Sequence, residues 1–295
     1  MAMRHKGKRA VTLATAAACW LATLAAHAAP AKLWETGGFL TPESALFDAK
    51  SGVLYVSNVN GAPDGKDGNG FISKVAADGQ ILTLKWAAGM DAPKGLGLFG
   101  GKLYVADIDR LHEIDTSSGK VTASYPAADA KFLNDVAVDG DGNVYVSDMA
   151  TNVIWRLANG TFAPWLQDAK LENPNGLAVE GGNLRVATWG VMSNGFETKV
   201  PGHLISIAIG DKHMTDLGDG KPFGNLDGLE PLGGGAYLVS DWMTGKVMRF
   251  AADGTVTTLL ELGQGSADIG YDANHKTLYV PQMMQNTLAA YGIER

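Results

Sequence analysis

The 295-residue chain carries 31 acidic against 24 basic side chains, a net charge of −7, with 46% hydrophobic residues and 38 glycines. An acidic chain without basic clusters argues against nucleic acid or anionic membrane as a partner, since neither polyanion attracts a surface of its own sign. Small molecules and cations remain, and a single cysteine, Cys19, leaves no pair for a disulfide.

Residues 1–28 read as a secretory signal peptide. Arg4, Lys6, Lys8 and Arg9 precede an apolar run from Ala10 to about Ala25, and Ala26-His27-Ala28 supplies a small-x-small cleavage pattern. The run is short for a bilayer span and rich in alanine, so export with cleavage is expected rather than a membrane anchor. Cys19 lies inside it, and no good lipobox precedes it. Cleavage after Ala28 leaves 267 residues, 29–295, in the periplasm or outside the cell, and loss of the four basic side chains takes the net charge from −7 to −11. No Pro/Ser-rich linker or long charge run divides the remainder, which reads as one domain. No heptads or long amphipathic helices suggest a protein partner, so a monomer is expected.

From residue 54 one pattern recurs: LYVSN, LYVAD, VYVSD, LRVATW, YLVSDW and LYVPQ. The central valines, Val56, Val105, Val146, Val186, Val239 and Val280, are 49, 41, 40, 53 and 41 residues apart. Each copy has an apolar strand before it, a turn such as Asp139 to Asn143, and one or two strands after it, as in Phe71 to Val75 followed by Ile81 to Leu84. Four antiparallel strands repeated six times predict an all-β, six-bladed β-propeller. A β-sandwich would not need six near-equal periods. The last copy stops after its third strand, Leu288 to Tyr291, and Lys32-Leu33-Trp34-Glu35 precedes the first. The mature N-terminal strand is therefore predicted to complete the sixth blade and close the ring.

A polar residue opens every repeat. Counting back from the valines, Asn134, Asp227 and Asp268 lie 12 residues before, Asn175 and Lys94 lie 11, and Glu43 lies 13. First strands line the central channel of a propeller, so these six are predicted to converge at one end. Asn and Asp are also common turn-formers at strand starts, but recurrence at one register points to function. Glu43, Asn134, Asn175 and Asp227 offer only hard oxygen ligands, which suits a divalent cation, calcium above zinc, manganese or magnesium. Glu43, Asp227 and Asp268 against Lys94 leave two negative charges for such an ion to neutralise.

Loops leaving the second strands return to the same end and carry Met149, Trp189, Met192, Trp242, Met243, Met283 and Met284. They predict an apolar wall over a polar floor, and hence a substrate with an apolar portion. Trp189, Trp242 and Met243, with Asn134 and Lys94, are the candidate substrate contacts. The insertion Gly190 to His203 explains the 53-residue spacing and is a candidate lid. No Gly-x-Ser-x-Gly elbow competes as a nucleophile, and His112, His203, His213 and His275 lie off the ring register. The Asp64 to Gly70 run lacks the closing Glu of a calcium loop and reads as a solvated turn.

Four segments, PESALFD, LNDVAVDGDGNVYVSD, NPNGLAVEGGNLRVATW and LDGLEPLGGGAYLVSDW, resemble in order the metal-site segments of the senescence marker protein (regucalcin)/gluconolactonase family. Diisopropyl-fluorophosphatase and paraoxonase have related propellers. The resemblance implies a calcium or zinc ion at the channel mouth and hydrolysis of lactones or related esters. Glu43, Asn175 and Asp227 match the family's metal ligands; Asn134 matches an amide that is a ligand in some members and a substrate contact in others. Asp227 matches the usual base or nucleophile, with Glu43 the other carboxylate able to accept a proton. Ser44-Ala45 stands where the family has Gly-Pro, and Lys94 either contacts an anionic substrate or pairs with Asp268. The alternative is a non-catalytic propeller that binds a ligand or protein, with the cation as structural cement.

Overall fold

In Leu54-Tyr55-Val56 successive side chains point to opposite faces of a strand, and both faces are buried. Leu54 and Val56 pack with Tyr279, Leu288 and Ala290, while Tyr55 packs with Leu96, Leu103 and Val105. The same division holds at Val144, Tyr145 and Val146. Aliphatic and aromatic positions thus face opposite neighbours, as blades stacked around an axis require. Each such side chain contributes roughly 1.5–3 kcal/mol when fully buried, and six apolar clusters fill the six seams between adjacent blades.

The structure, a computed structural model, describes residues 1–3 and 29–293. The signal peptide expected over 1–28 lies, but for its first three residues, outside them. Among the described residues no helix is long and apolar enough to cross a membrane. Six four-stranded antiparallel sheets form the blades, joined by one two-stranded hairpin. Blade one runs Pro42–Asp48, Val53–Asn58, Gly70–Ala76 and Ile81–Met90; blade three runs Leu133–Val138, Val144–Asp148, Val153–Ala158 and Thr161–Gln167. The sixth blade takes Gly270–Asp272, Thr277–Gln282 and Thr287–Gly292 from the C-terminus and Ala31–Gly37 from the N-terminus. Thr36 pairs with Leu288 and Glu35 with Ala289, so the predicted closure is present and the strand Thr287–Gly292 keeps no open edge.

The insertion between blade four's second and third strands folds as its own hairpin, Gly190–Asn194 against Glu197–Pro201. In blade two, His112 lies between strands, Nε2 at 3.1 Å from Asp107 Oδ2 and Nδ1 at 2.8 Å from Ser124 Oγ. Its ring ties three strands of one blade together, in keeping with its place off the ring register.

Candidate active site at the mouth of the channel

Five first strands share one irregularity. Each pairs with its second strand at its opening residue, skips two residues and resumes: Pro42 then Ala45, Pro93 then Leu96, Leu133 then Val136, Pro174 then Leu177, Leu226 then Leu229. The skipped pairs are Glu43-Ser44, Lys94-Gly95, Asn134-Asp135, Asn175-Gly176 and Asp227-Gly228. Bulges of this kind re-aim a side chain out of the pleat, and here the first residue of each pair lines a single cavity of about 290 Å³.

The serine that follows the central valine in three of the repeats holds the bulge. Ser57 Oγ accepts the Ser44 N–H at 2.9 Å, Ser147 Oγ the Asp135 N–H at 2.9 Å, and Ser240 Oγ the Gly228 N–H at 2.7 Å. The next residue fastens the incoming loop: Asp148 accepts the N–H groups of Lys131 and Phe132, each at 3.0 Å, and Asn58 Oδ1 that of Leu40 at 2.9 Å. Ser240 also donates to the Ala267 carbonyl at 2.7 Å. Ser240→Ala is therefore expected to leave two buried backbone groups unpaired and to cost about 1–3 kcal/mol, read as a lower denaturant midpoint at unchanged slope.

The sixth position of the ring differs from the sequence-based expectation. Ser266 bridges Gln282, which puts buried Ala267, not Asp268, in the place of Glu43 and Asn134. The hairpin of blade six, like that of blade one, is one residue longer than those of blades three and five, so counting back 12 from Val280 stops one residue short. A one-residue slip turns a strand side chain to the other side. Asp268 instead lies one step down the channel, where its Oδ2 accepts from Ser44 Oγ and its N–H donates to the Glu43 carbonyl at 2.9 Å.

The floor of the cavity is Glu43, Lys94, Asn134, Asn175 and Asp227, all at least nine-tenths buried. Asn175 Nδ2 donates to the Leu226 carbonyl at 3.1 Å, which turns its Oδ1 the other way; Asn134 Nδ2 points at Met149 Sδ, 3.7 Å away. Glu43 Oε2 and Asn175 Oδ1 are buried without a hydrogen-bond partner among the described residues. Burial raises the pKa of Glu43 well above the ordinary carboxylate value, and the charges of Asp227 and Asp268 add to it. Asp227 is raised in the same way, by burial first and Asp268 second, against a lowering hydrogen bond from Asn175. Lys94 donates to the Ala92 carbonyl at 3.0 Å and lies 4.5 Å above the Phe132 ring. Burial lowers its pKa to about 8 despite the opposing charges of Glu43 and Asp107. Among the described residues it makes no ion pair with Asp268, and it lines the cavity.

These donors fit a hard divalent cation. Two orphaned oxygens and two carboxylates that repel each other are what a missing positive charge leaves behind, and all four donors are oxygen. No three His, Cys, Asp or Glu side chains among the described residues are placed to hold a metal, so such an ion would draw part of its shell from the amides of Asn134 and Asn175.

Three further carboxylates lie below the floor, around a second channel cavity of about 220 Å³: Asp135, Asp268 and Glu230. Asp135 is raised by burial and then by Asp268, although its oxygens accept the N–H groups of Leu177 and Val136, each at 2.6 Å. Through Leu177 it ties blade three to the strand bearing Asn175. Asp268 is pushed up to about 7 and Glu230, which keeps some solvent contact, to about 8. Sequence reasoning passed over Asp135 and Glu230; the Asn-Asp pair at 134–135 was the available signal for the first.

Trp189, Trp242, Met149, Met283 and Met284 form the wall, as the loop analysis expects, joined by Phe132 and Phe196. Met243 does not belong to it. It is 37% exposed in a turn that Asp241 fastens at 3.1 Å through the Met243 N–H, and neither it nor Met192 is among the residues lining the cavity. No histidine among the described residues lines the cavity. Gly61 and Pro63 bring the 61–69 loop to the rim, where Lys66 pairs with Asp109 and Gly68 N–H donates to Asp91 at 3.0 Å. That loop is exposed over most of its length, as a solvated turn is expected to be, and these contacts anchor it.

No family model matches the chain, and no curated protein matches its sequence. In solved structures the fold recurs. A gluconolactonase from Xanthomonas campestris superposes with a TM-score of 0.65 at 15% identity, over 90% of this chain and 95% of that one. A virginiamycin B lyase from Staphylococcus aureus, in a catalytically inactive histidine-to-alanine variant with quinupristin, gives 0.56 at 14%, over 88% and 99%. A chain of the nidogen/laminin complex gives 0.59 at 16%, over 84% and 87%. At these identities the likeness is one of fold, and there the resemblance to the gluconolactonase family holds.

Proposed function

We propose that this protein is an exported, divalent-cation-dependent hydrolase of lactones or related esters. The observation that carries the reading is the convergence of Glu43, Asn134, Asn175 and Asp227 on one buried floor, with Glu43 Oε2 and Asn175 Oδ1 left without partners. These four would hold the cation, which when bound supplies Lewis-acid polarisation of a carbonyl. Asp227 takes the proton of the water that adds to the carbonyl carbon. The ring C–O bond then breaks, and the same proton passes to the departing alkoxide. Lys94, which has ammonium donors beyond the one given to Ala92, would hydrogen-bond the oxyanion. Aromatic and methionine side chains exclude bulk water from these charges.

The other propellers sharpen the choice. The lyase is inactivated by loss of a histidine, and no described histidine reaches this cavity, so hydrolysis fits better than a histidine-dependent elimination. The nidogen/laminin propeller keeps a binding role as the second reading, with the same cation as a structural element. A panel of lactones and esters assayed with and without chelator separates the two. Turnover that disappears with chelator and returns with calcium supports the hydrolase; turnover indifferent to metal, or none on any member, contradicts it.

The raised carboxylates fix a pH dependence. Asp268 near 7 and Glu230 near 8 bind protons in the folded state that the unfolded chain releases near pH 4. Without cation these groups make stability fall as pH rises through that window. Glu43 and Asp227 are raised likewise, and a cation held by them would replace their protons, so the Tm increase given by calcium is expected to be larger at about pH 8 than at about pH 5; equal increments would contradict the coupling.

A further inference from the structure

Above the polar floor the cavity is roofed by rings from blades three, four and five and from the inserted hairpin. The hairpin is built in place. Trp189 Nε1 donates to the Phe196 carbonyl at 2.9 Å, Met192 N–H to Asn173 Oδ1 at 3.1 Å, and Asn225 Nδ2 to Thr198 Oγ1 at 3.0 Å. Its tip is thereby drawn over the cavity. The Phe196 ring meets Phe132 edge-on at 5.6 Å and Trp189 at 6.1 Å, and Trp189 lies 6.2 Å from Trp242. Phe196 lines the cavity on one side and remains 44% exposed on the other. It fills no seam of the propeller and packs in none of the apolar clusters between blades. A ring kept there at the cost of exposure has its use on the inner side, toward what enters.

Size and polarity narrow what that is. The cavity's 290 Å³ equals about ten water volumes, enough for a small ring carrying one planar group. Apart from Thr41, its polar side chains belong to the floor. A polyhydroxylated lactone would lay hydroxyl groups against Phe, Trp and Met side chains that offer few hydrogen bonds, and each buried hydroxyl without a partner is penalised. A flat apolar group meets rings that can pack edge-on or tilted against it.

Resting on the hydrolase reading, we infer that the substrate is a lactone or ester bearing an aryl or comparably flat apolar substituent, held between Phe196, Phe132 and Trp189 with its carbonyl toward the floor. Phe196 is then the specificity-determining residue on the hairpin. The test has a binding arm and a kinetic arm. In the first, a hydrolysis-inert phenyl-substituted lactam and a polyhydroxylated lactam are titrated against the calcium-loaded protein by tryptophan fluorescence. The phenyl compound is expected to bind about tenfold tighter or more, and Phe196→Ala to erase most of that preference. In the second, the ratio of kcat/KM for phenyl-substituted over unsubstituted γ-butyrolactone is expected to fall about tenfold in Phe196→Ala, chiefly through KM. Tighter binding of the polyhydroxylated lactam, or preferences unchanged in both Phe196→Ala and Phe132→Ala, overturns the inference. Aryl binding without turnover of any lactone would retract the hydrolase reading and leave the aryl preference standing; efficient turnover of sugar lactones alone would do the reverse.

Discussion

Asp227→Asn is expected to lower kcat for lactone hydrolysis by about 10²–10⁴, the usual contribution of a positioned general base, with a smaller effect on KM. The amide keeps the oxygen that faces the floor, so the fold and part of the cation affinity persist, while proton acceptance from water is lost. Two features make Asp227 the carboxylate for this role. It lines the cavity from a bulge that Ser240 fixes through the Gly228 N–H at 2.7 Å, and the hydrogen bond from Asn175 beside it opposes, without cancelling, the upward pull of burial and Asp268 on its pKa. Glu43 has more charged neighbours and an orphaned oxygen, so Glu43→Gln should act first on cation affinity. An Asp227→Asn enzyme with full activity and unaltered cation binding would remove Asp227 from the mechanism.

A large effect on stability from one added methyl group is expected at Gly176, within the floor of the cavity. A Cβ there would stand 1.9 Å from the Asp227 carbonyl oxygen and 3.1 Å from its carbonyl carbon. Both are backbone atoms of the neighbouring blade, so no side chain can swing aside. Blades four and five would have to part at the point where Asn175 and Asp227 meet. Gly176→Ala is therefore expected to cost about 3 kcal/mol or more, a fall of roughly 2–4 °C in Tm per kcal/mol for a chain of this size, and to weaken cation binding in whatever protein still folds. Gly210→Ala, where an added Cβ meets nothing within 4 Å, is the matched control and should stay within about 0.5 kcal/mol of the parent. A stable Gly176→Ala protein with normal cation affinity would contradict the close contact between these blades.

The propeller was legible because its seams demand one pattern from every blade. Leu54, Tyr55 and Val56 must satisfy two neighbours at once, and that demand recurs at a fixed interval. The four residues proposed to hold the cation were legible because each occupies the first position of the same bulge. What the pattern does not encode is hairpin length, and this misplaced Asp268, whose side chain lies with Ser44 and Asp135 instead of on the ring. Met243 failed for a similar reason. Its loop returns to the right end of the molecule, but in the turn fastened by Asp241 its side chain stays exposed and does not line the cavity. Phe132 and Phe196 join the wall through loop paths that carry no periodicity. The insertion around Phe196 was visible only as an excess of spacing, and the role of Asp135 only as a second polar residue beside Asn134.

The central claim is a divalent-cation site built by four blades, and calcium titration of the chelator-treated protein by calorimetry tests it most directly. The expected result is one saturable site with proton release that grows toward acidic pH, weakened or lost in Glu43→Gln. No heat of binding with calcium, zinc, manganese or magnesium would contradict it, and the buried acidic floor would then need another partner.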